Sequence, residues 1–315
     1  MGHIIALLLI ATGLTAVQPA KAIPDADTRH DVISFAKDGW APVPYELSHG
    51  VILLKATING QPITMLLDNG TSDTMIDEGY ARRNGIPIGK PTKSAVTGVS
   101  TTLSTRRTDS VQLGVPHALT ITGPLIAMDL TTISKALGQQ IAAVLGADVL
   151  DHIAFMVRPD QQKVVLIGSG GITVGPGALT VPLLDGHQID ATVNGIPVKL
   201  EVDFGSNGVV SLNDPAWRRA IPAGAAIETG SHISADGVNR VEQRTKGELR
   251  VGSASVRDAP IDNGYTRTDK GDGLLGNGFL SKAGVIVDVQ EKKLILIPQR
   301  ANNAPPPRAS GSTGA

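Results

Sequence analysis

The sequence contains no cysteine, few aromatic residues and no surplus of positive charge. Without cysteine the chain forms neither disulfides nor thiolate metal sites, and it has no thiol nucleophile. Aromatic residues make up only 3% of the sequence, so the core must be built from aliphatic side chains. The net charge is −1 and basic residues form no long run, which argues against a nucleic-acid or membrane-surface partner.

Long apolar runs are also scarce, and the one that stands out lies at the N-terminus, from Ile4 to Val17. It is followed by Ala20-Lys21-Ala22, an Ala-x-Ala pattern typical of a cleavage site, so residues 1–22 are predicted to be a secretory signal peptide. An uncleaved anchor is the alternative, although a run this short spans a bilayer poorly. We therefore expect an exported protein, periplasmic or secreted, with no membrane association after cleavage.

The rest of the sequence repeats itself. Residues 58–71 match residues 193–206, with an Asn-Gly pair, a proline, an aspartate and a further glycine at equivalent positions. Residues 144–167 match residues 274–297 in the same order and without a gap. Two matched blocks in the same order indicate an internal duplication.

Each copy is predicted to consist mostly of β-strands. Asn-Gly between apolar or alternating segments is the pattern of a tight β-hairpin. Short helices are predicted over residues 76–84, ending at Gly85, and near Ala147. The predicted boundaries are an N-terminal segment (23–42), a first lobe (43–172), a second lobe (173–298) and a disordered tail (299–315).

An apolar residue, then aspartate, any residue, glycine and a hydroxyl residue, with Leu-Gly some way downstream, occur once in each copy. Together these motifs resemble the retropepsin-like aspartic proteases, specifically the two-lobed bacterial type, over nearly all of residues 43–298. The resemblance implies an all-β fold of two pseudo-symmetric acid-protease-like barrel lobes with a few short helices. It also implies that Asp68 and Asp203 form a catalytic dyad that activates a water molecule.

The same resemblance assigns supporting roles around the dyad. Gly70 and Gly205 would let the loops turn tightly, and the hydroxyls of Thr71 and Ser206 would bond to the outer oxygen of each aspartate. Hairpin flaps over the cleft would carry four substrate-binding residues: Thr97, Gly98, Asp236 and Gly237. The implied enzyme is a monomeric endopeptidase that needs no cofactor or metal and acts on a peptide or protein substrate.

The sequence departs from the family between aspartate and glycine, where the family usually has a threonine that locks the two loops together. Here the residues are Asn69 and Phe204. Asparagine can still donate and accept hydrogen bonds, whereas phenylalanine cannot. Two hypotheses follow: an active aspartic endopeptidase, or a catalytically impaired pseudoprotease that binds peptides or a partner protein in the cleft.

Other functional classes find little support in the sequence. The seven histidines show no metal-binding spacing. The Leu-Gly pairs are predicted to pack beneath the aspartate loops. Four acidic residues without an equivalent acid in the other copy are predicted to be solvated charges: Glu46, Glu201, Asp258 and Asp272.

Overall fold

The structure, a computed structural model, describes residues 32–37, 41–95, 102–233, 239–267 and 270–298. The predicted signal peptide and C-terminal tail therefore lie outside the described residues, as does most of the N-terminal segment. The described residues contain no helix that is both long and apolar enough to cross a membrane.

The first half of the described chain contains eleven strands and three short helices. In chain order these are β1 (Val32–Phe35), β2 (Val43–Ser48), β3 (Val51–Ile58), β4 (Gln61–Leu67), β5 (Met75–Asp77), α1 (Glu78–Arg83), β6 (Thr92–Ala95), β7 (Thr102–Val115), β8 (Leu119–Met128), α2 (Thr131–Ala136), β9 (Ala143–Leu145), α3 (Ala147–Leu150), β10 (Ile153–Arg158) and β11 (Lys163–Gly168).

The second half of the described chain contains ten strands and two short helices. These are β12 (Leu179–Pro182), β13 (Gln188–Val193), β14 (Ile196–Val202), β15 (Val210–Leu212), α4 (Asp214–Ala220), β16 (Glu228–Ile233), β17 (Asn239–Val251), β18 (Ala254–Asp262), β19 (Gly273–Leu275), α5 (Asn277–Leu280), β20 (Ala283–Asp288) and β21 (Lys293–Pro298).

Two closed six-stranded barrels form the body of the protein. The first has the order β3-β4-β9-β5-β8-β7 and closes by pairing of β3 with β7. The second has the equivalent order β13-β14-β19-β15-β18-β17 and closes by pairing of β13 with β17. The predicted all-β fold with two barrel lobes and a few short helices is confirmed, whereas the exact lobe boundaries stay a prediction.

A third sheet joins the barrels, in the order β12-β21-β20-β10-β11-β2. Its two central strands, β10 and β20, are equivalent in the two copies and run antiparallel, with Met156 paired to Ile286. These two residues are themselves equivalent, so the pseudo-two-fold axis passes between them. The strands are almost fully buried, and one continuous apolar core extends from the first barrel through this sheet into the second.

Local sequence explains the turns that begin each barrel. Asn59 and Gly60 both have positive φ, as do Asn194 and Gly195, which is the backbone of the predicted Asn-Gly hairpins. The predicted helix over residues 76–84 is α1, shorter by two residues at its start and by one at its end. Asp77 caps it by accepting a hydrogen bond from the Tyr80 N–H at 2.6 Å.

Candidate active site

Asp68 and Asp203 each follow the end of an equivalent strand, β4 and β14. The Asp68 N–H donates to the Leu145 carbonyl at 3.1 Å, and the Asp203 N–H donates to the Leu275 carbonyl at 3.0 Å. Both leucines are fully buried. The Leu-Gly segments therefore fix the backbone of the two aspartates, as expected of residues that pack beneath the loops.

The two aspartate loops interdigitate through their glycines. A Cβ built on Gly70 would lie 2.6 Å from Asp203 Oδ1, and one built on Gly205 would contact the Asp68 carboxylate even more closely. Neither glycine has a positive φ. Glycine is thus needed here because each loop lies against the carboxylate of the other, and not because of the tight turn that the resemblance implied.

Asn69 locks the first loop to the second. Its side-chain amide donates to the Val202 carbonyl at 2.7 Å, and its carbonyl oxygen accepts the Phe204 N–H at 2.8 Å. Asn69 is only 2% exposed, so both bonds lie in a dry environment. One asparagine therefore both donates and accepts across the lobe interface, just before and just after Asp203.

Phe204 takes a different course and enters the core. It is among the largest fully buried side chains, and its ring packs edge-on against Phe155 of β10, with ring centroids 5.3 Å apart. Its carbonyl accepts a hydrogen bond from Asn277 Nδ2 at 2.7 Å. The second loop is therefore held by packing and by Asn277, and its residue between aspartate and glycine sends no side-chain hydrogen bond back to the first loop.

Backbone N–H groups support both carboxylates. The Gly70 N–H donates to Asp68 Oδ1 at 2.9 Å and the Gly205 N–H donates to Asp203 Oδ1 at 2.7 Å. The N–H groups of Thr71 and Ser206 act on the same carboxylates and, like those of the glycines, favour their ionised forms. The Thr71 hydroxyl, however, is buried without a hydrogen-bond partner among the described residues, so its expected bond to Asp68 is absent.

Burial and mutual repulsion separate the two carboxyl groups electrostatically. Burial raises the pKa of Asp68 to about 6, a rise that the Glu201 charge increases and the loop N–H groups limit. For Asp203, burial and then the Asp68 charge raise the pKa to about 8. Because two adjacent carboxylates resist double ionisation, the pair shares one proton over the pH range between its two ionisations.

Glu201 was predicted to be a solvated charge, and that prediction is wrong. Its residue is only 8% exposed, and its charge raises the pKa of both Asp68 and Asp203. The strand face that carries Asp203 also carries the residue two positions earlier, which brings Glu201 to the site. The internal repeat could have predicted that Glu201 is buried, because the equivalent residue of the first copy is the apolar Leu66.

The four predicted flap residues, Thr97, Gly98, Asp236 and Gly237, lie outside the described residues. The chain on either side of each pair forms antiparallel strands, β6 with β7 and β16 with β17. Their substrate-binding role stays a prediction. Within the described residues, no three His, Asp or Glu side chains are grouped so as to hold a metal ion.

Comparison with known protein families finds a match within the first lobe. Residues 54–149 match the family model described as aspartyl protease, a segment that runs from β3 through the Asp68 loop into α3. No curated protein matches the chain.

Proposed function

We propose that the protein is an aspartic endopeptidase of the two-lobed, internally duplicated retropepsin-like type, with Asp68 and Asp203 as its dyad. The observation that carries this proposal is the reciprocal contact of the loops, in which the glycine of each loop lies against the carboxylate of the other. The aspartyl protease match over residues 54–149 supports the same class of activity. A dyad contributed by one chain needs no second subunit, so we propose a monomer that requires no cofactor.

The difference in pKa between the two carboxyls assigns their roles. Asp68, with the lower pKa, accepts a proton from the water molecule that attacks the scissile carbonyl. Asp203, which retains its proton to higher pH, donates that proton to the carbonyl oxygen. Asp68 then gives the proton taken from the water to the leaving nitrogen, and a hydroxyl of the tetrahedral intermediate returns a proton to Asp203. The C–N bond breaks, a carboxyl and an amino terminus are released, and both aspartates regain their starting protonation states. The substrate is a peptide or protein held in an extended conformation between the lobes.

The lock made by Asn69 supports an active dyad in spite of the unusual residues beside it. A displacement of about 1 Å between catalytic groups costs on the order of a hundredfold in rate. Asn69 bonds the backbone on both sides of Asp203 and so holds the second aspartate in register with the first. We propose that this one residue replaces the pair of threonines usual in the family.

A second candidate is a pseudoprotease that binds peptides in the same cleft without cutting them. Two observations favour it: Phe204 returns no hydrogen bond to the first loop, and the Thr71 hydroxyl has no partner among the described residues. Both would allow Asp68 more freedom than an efficient enzyme requires.

Cleavage of a diverse peptide mixture between about pH 3 and 8 distinguishes the two functions. The purified protein is compared with Asp68→Asn, Asp203→Asn and the control Asp190→Asn, which removes a 73% exposed carboxylate paired with Lys199. We expect new termini from the wild type and the control and none from either dyad variant. Folded wild-type protein that binds peptides but cuts none of them would establish the pseudoprotease instead.

Export to the periplasm or the medium is proposed on the N-terminal sequence alone. The test is to determine the N-terminal residue of the protein recovered from culture, which should be Ile23. An intact Met1 in the mature protein would contradict it.

A further inference from the structure

One row of cross-strand neighbours differs in character between the two barrels. In the first barrel the pairing registers of β3, β4, β9, β5 and β8 align five apolar residues: Leu53, Leu66, Val144, Met75 and Ile126. In the second barrel the equivalent registers of β13, β14, β19, β15 and β18 align Gln188, Glu201, Leu274, Ser211 and Asp262. Residues in register on neighbouring strands face the same side of a sheet, so we call this second set the acidic row.

The two rows also differ in what covers them. All five residues of the first row are buried in one apolar cluster, against which Ile133 of α2 and Leu137 pack. The described residues between β18 and β19 contain no helix equivalent to α2. Within the acidic row every residue except Glu201 is partly exposed. The position that is a closed apolar cluster in one lobe is thus an open polar surface in the other.

The acidic row reaches the dyad through Glu201. Glu201 lies two residues before Asp203 on one strand face, and its charge acts on both catalytic carboxyls. At the other end, Asp262 Oδ2 lies 3.7 Å from the position of a Cβ on Gly208, in the loop that follows Asp203. The Ser211 hydroxyl and the Gly264 N–H both donate to Asp262 Oδ1, which fixes that carboxylate in place.

Glu201 has no cationic partner in the described part of the chain: the ion pairs there do not include it. The Tyr265 hydroxyl donates to Glu201 Oε2 at 3.4 Å, a long hydrogen bond. A buried carboxylate is costly unless a cation and further hydrogen bonds compensate it. A substrate that supplies a cation at this position would therefore gain affinity.

We propose that the acidic row is a specificity pocket for a lysine or arginine side chain next to the scissile bond, with Glu201 as its principal anion. This inference rests on the proposed function of the cleft. An extended substrate that crosses the dyad places the side chains beside the cleaved bond against the strands that carry the aspartates. Leu66 lies in the closed apolar cluster of the first lobe, whereas Glu201 lies at the open polar surface of the second, so a side chain on one side of the bond would meet Glu201. The substrate is thus expected to have a basic residue on one side of the bond.

The test uses two peptides that differ only in having arginine or norleucine next to the bond that is cut. We expect the wild type to prefer arginine by about 30-fold or more in kcat/KM, since a desolvated charge pair has a coupling of that size. Glu201→Gln and Glu201→Leu should each reduce this ratio to near one. The control Asp190→Asn removes an exposed carboxylate on β13 and should keep the ratio of the wild type.

The outcomes separate this inference from the proposed function. Cleavage without a basic preference, or a preference that survives both Glu201 variants, would overturn the specificity pocket and leave the endopeptidase standing. If the wild type cuts neither peptide, the endopeptidase fails and the same two peptides are compared by their Kd. Tighter binding of the arginine peptide, lost in both Glu201 variants, would support the pocket, and equal Kd values would overturn it.

Discussion

Substitution of Asn69 by alanine tests the lock between the lobes. The change removes two hydrogen bonds, of 2.7 and 2.8 Å, and leaves the Val202 carbonyl and the Phe204 N–H without these partners in a buried interface. An orphaned buried polar group costs about 1–3 kcal/mol, so the free energy of unfolding should fall by about 2–6 kcal/mol. Because both bonds flank Asp203, kcat/KM should also fall by on the order of a hundredfold.

A matched control exists in the second aspartate loop. Asn207 also donates to a backbone carbonyl across the lobes, that of His49 at 3.0 Å, but it is exposed to solvent. Asn207→Ala should therefore lower the free energy of unfolding by no more than about 1 kcal/mol. Urea unfolding and peptide hydrolysis of both variants measure the two effects. If Asn69→Ala unfolds and cleaves like Asn207→Ala, the lock does not hold the dyad and the reasoning is refuted.

Four further predictions concern the dyad and its neighbours. Gly205→Ala places a methyl group against the Asp68 carboxylate and should reduce kcat/KM by on the order of a hundredfold. The control Gly175→Ala, at a position with open space around it, should leave kcat/KM unchanged. Equal values of kcat/KM for the two variants would contradict the close approach of Gly205 to Asp68. With raised folded-state pKa values of about 6 and about 8, the aspartates stay protonated in the folded protein at pH values where the unfolded chain has released those protons. For each proton bound only in the folded state, the free energy of unfolding falls by about 1.4 kcal/mol for every pH unit by which the pH rises. The free energy of unfolding measured in urea titrations should therefore decline from about pH 4 to 8, and Asp203→Asn should make that decline less steep. The rate itself should follow a bell with its maximum between about pH 6 and 8, and a maximum near pH 4 would contradict the assigned roles. Phe204→Thr introduces the residue usual in the aspartic proteases but leaves a cavity where the Phe204 ring is buried. The free energy of unfolding should therefore fall by about 3 kcal/mol, and the cleavage rate should not increase. A large gain in cleavage rate would mean that Phe204 impairs the enzyme.

The features that were predictable from the sequence are those encoded locally and twice. The Asn59-Gly60 and Asn194-Gly195 hairpins follow from backbone preferences of those residues, and both have the expected positive φ. The end of α1 just before Gly85, which has a positive φ, follows from the glycine stop. Because the same local signals recur in order, two similar lobes could be expected before any contact was known.

The features that were missed depend on contacts between residues far apart in the chain. Asn69 reaches across to the backbone beside Phe204, and the Phe204 ring meets Phe155 in the joining sheet. Neither contact has a local signal, because each is set by how the two barrels pack. Burial of Glu201 was missed for another reason: Leu200 and Val202 are apolar, so strand alternation alone predicts that the acidic residue between them faces solvent.

The central claim is that the two aspartates act as one catalytic unit. The most direct test is to measure how fast single-residue variants cleave one peptide substrate. At a pH between about 6 and 8, kcat/KM is measured for the wild type, Asp68→Asn, Asp203→Asn and the control Asp190→Asn. We expect kcat/KM to fall by about a hundredfold to ten-thousandfold in each dyad variant, which is the range contributed by acid–base catalysis, and to stay unchanged in the control. A dyad variant that cleaves at the wild-type rate would contradict the account.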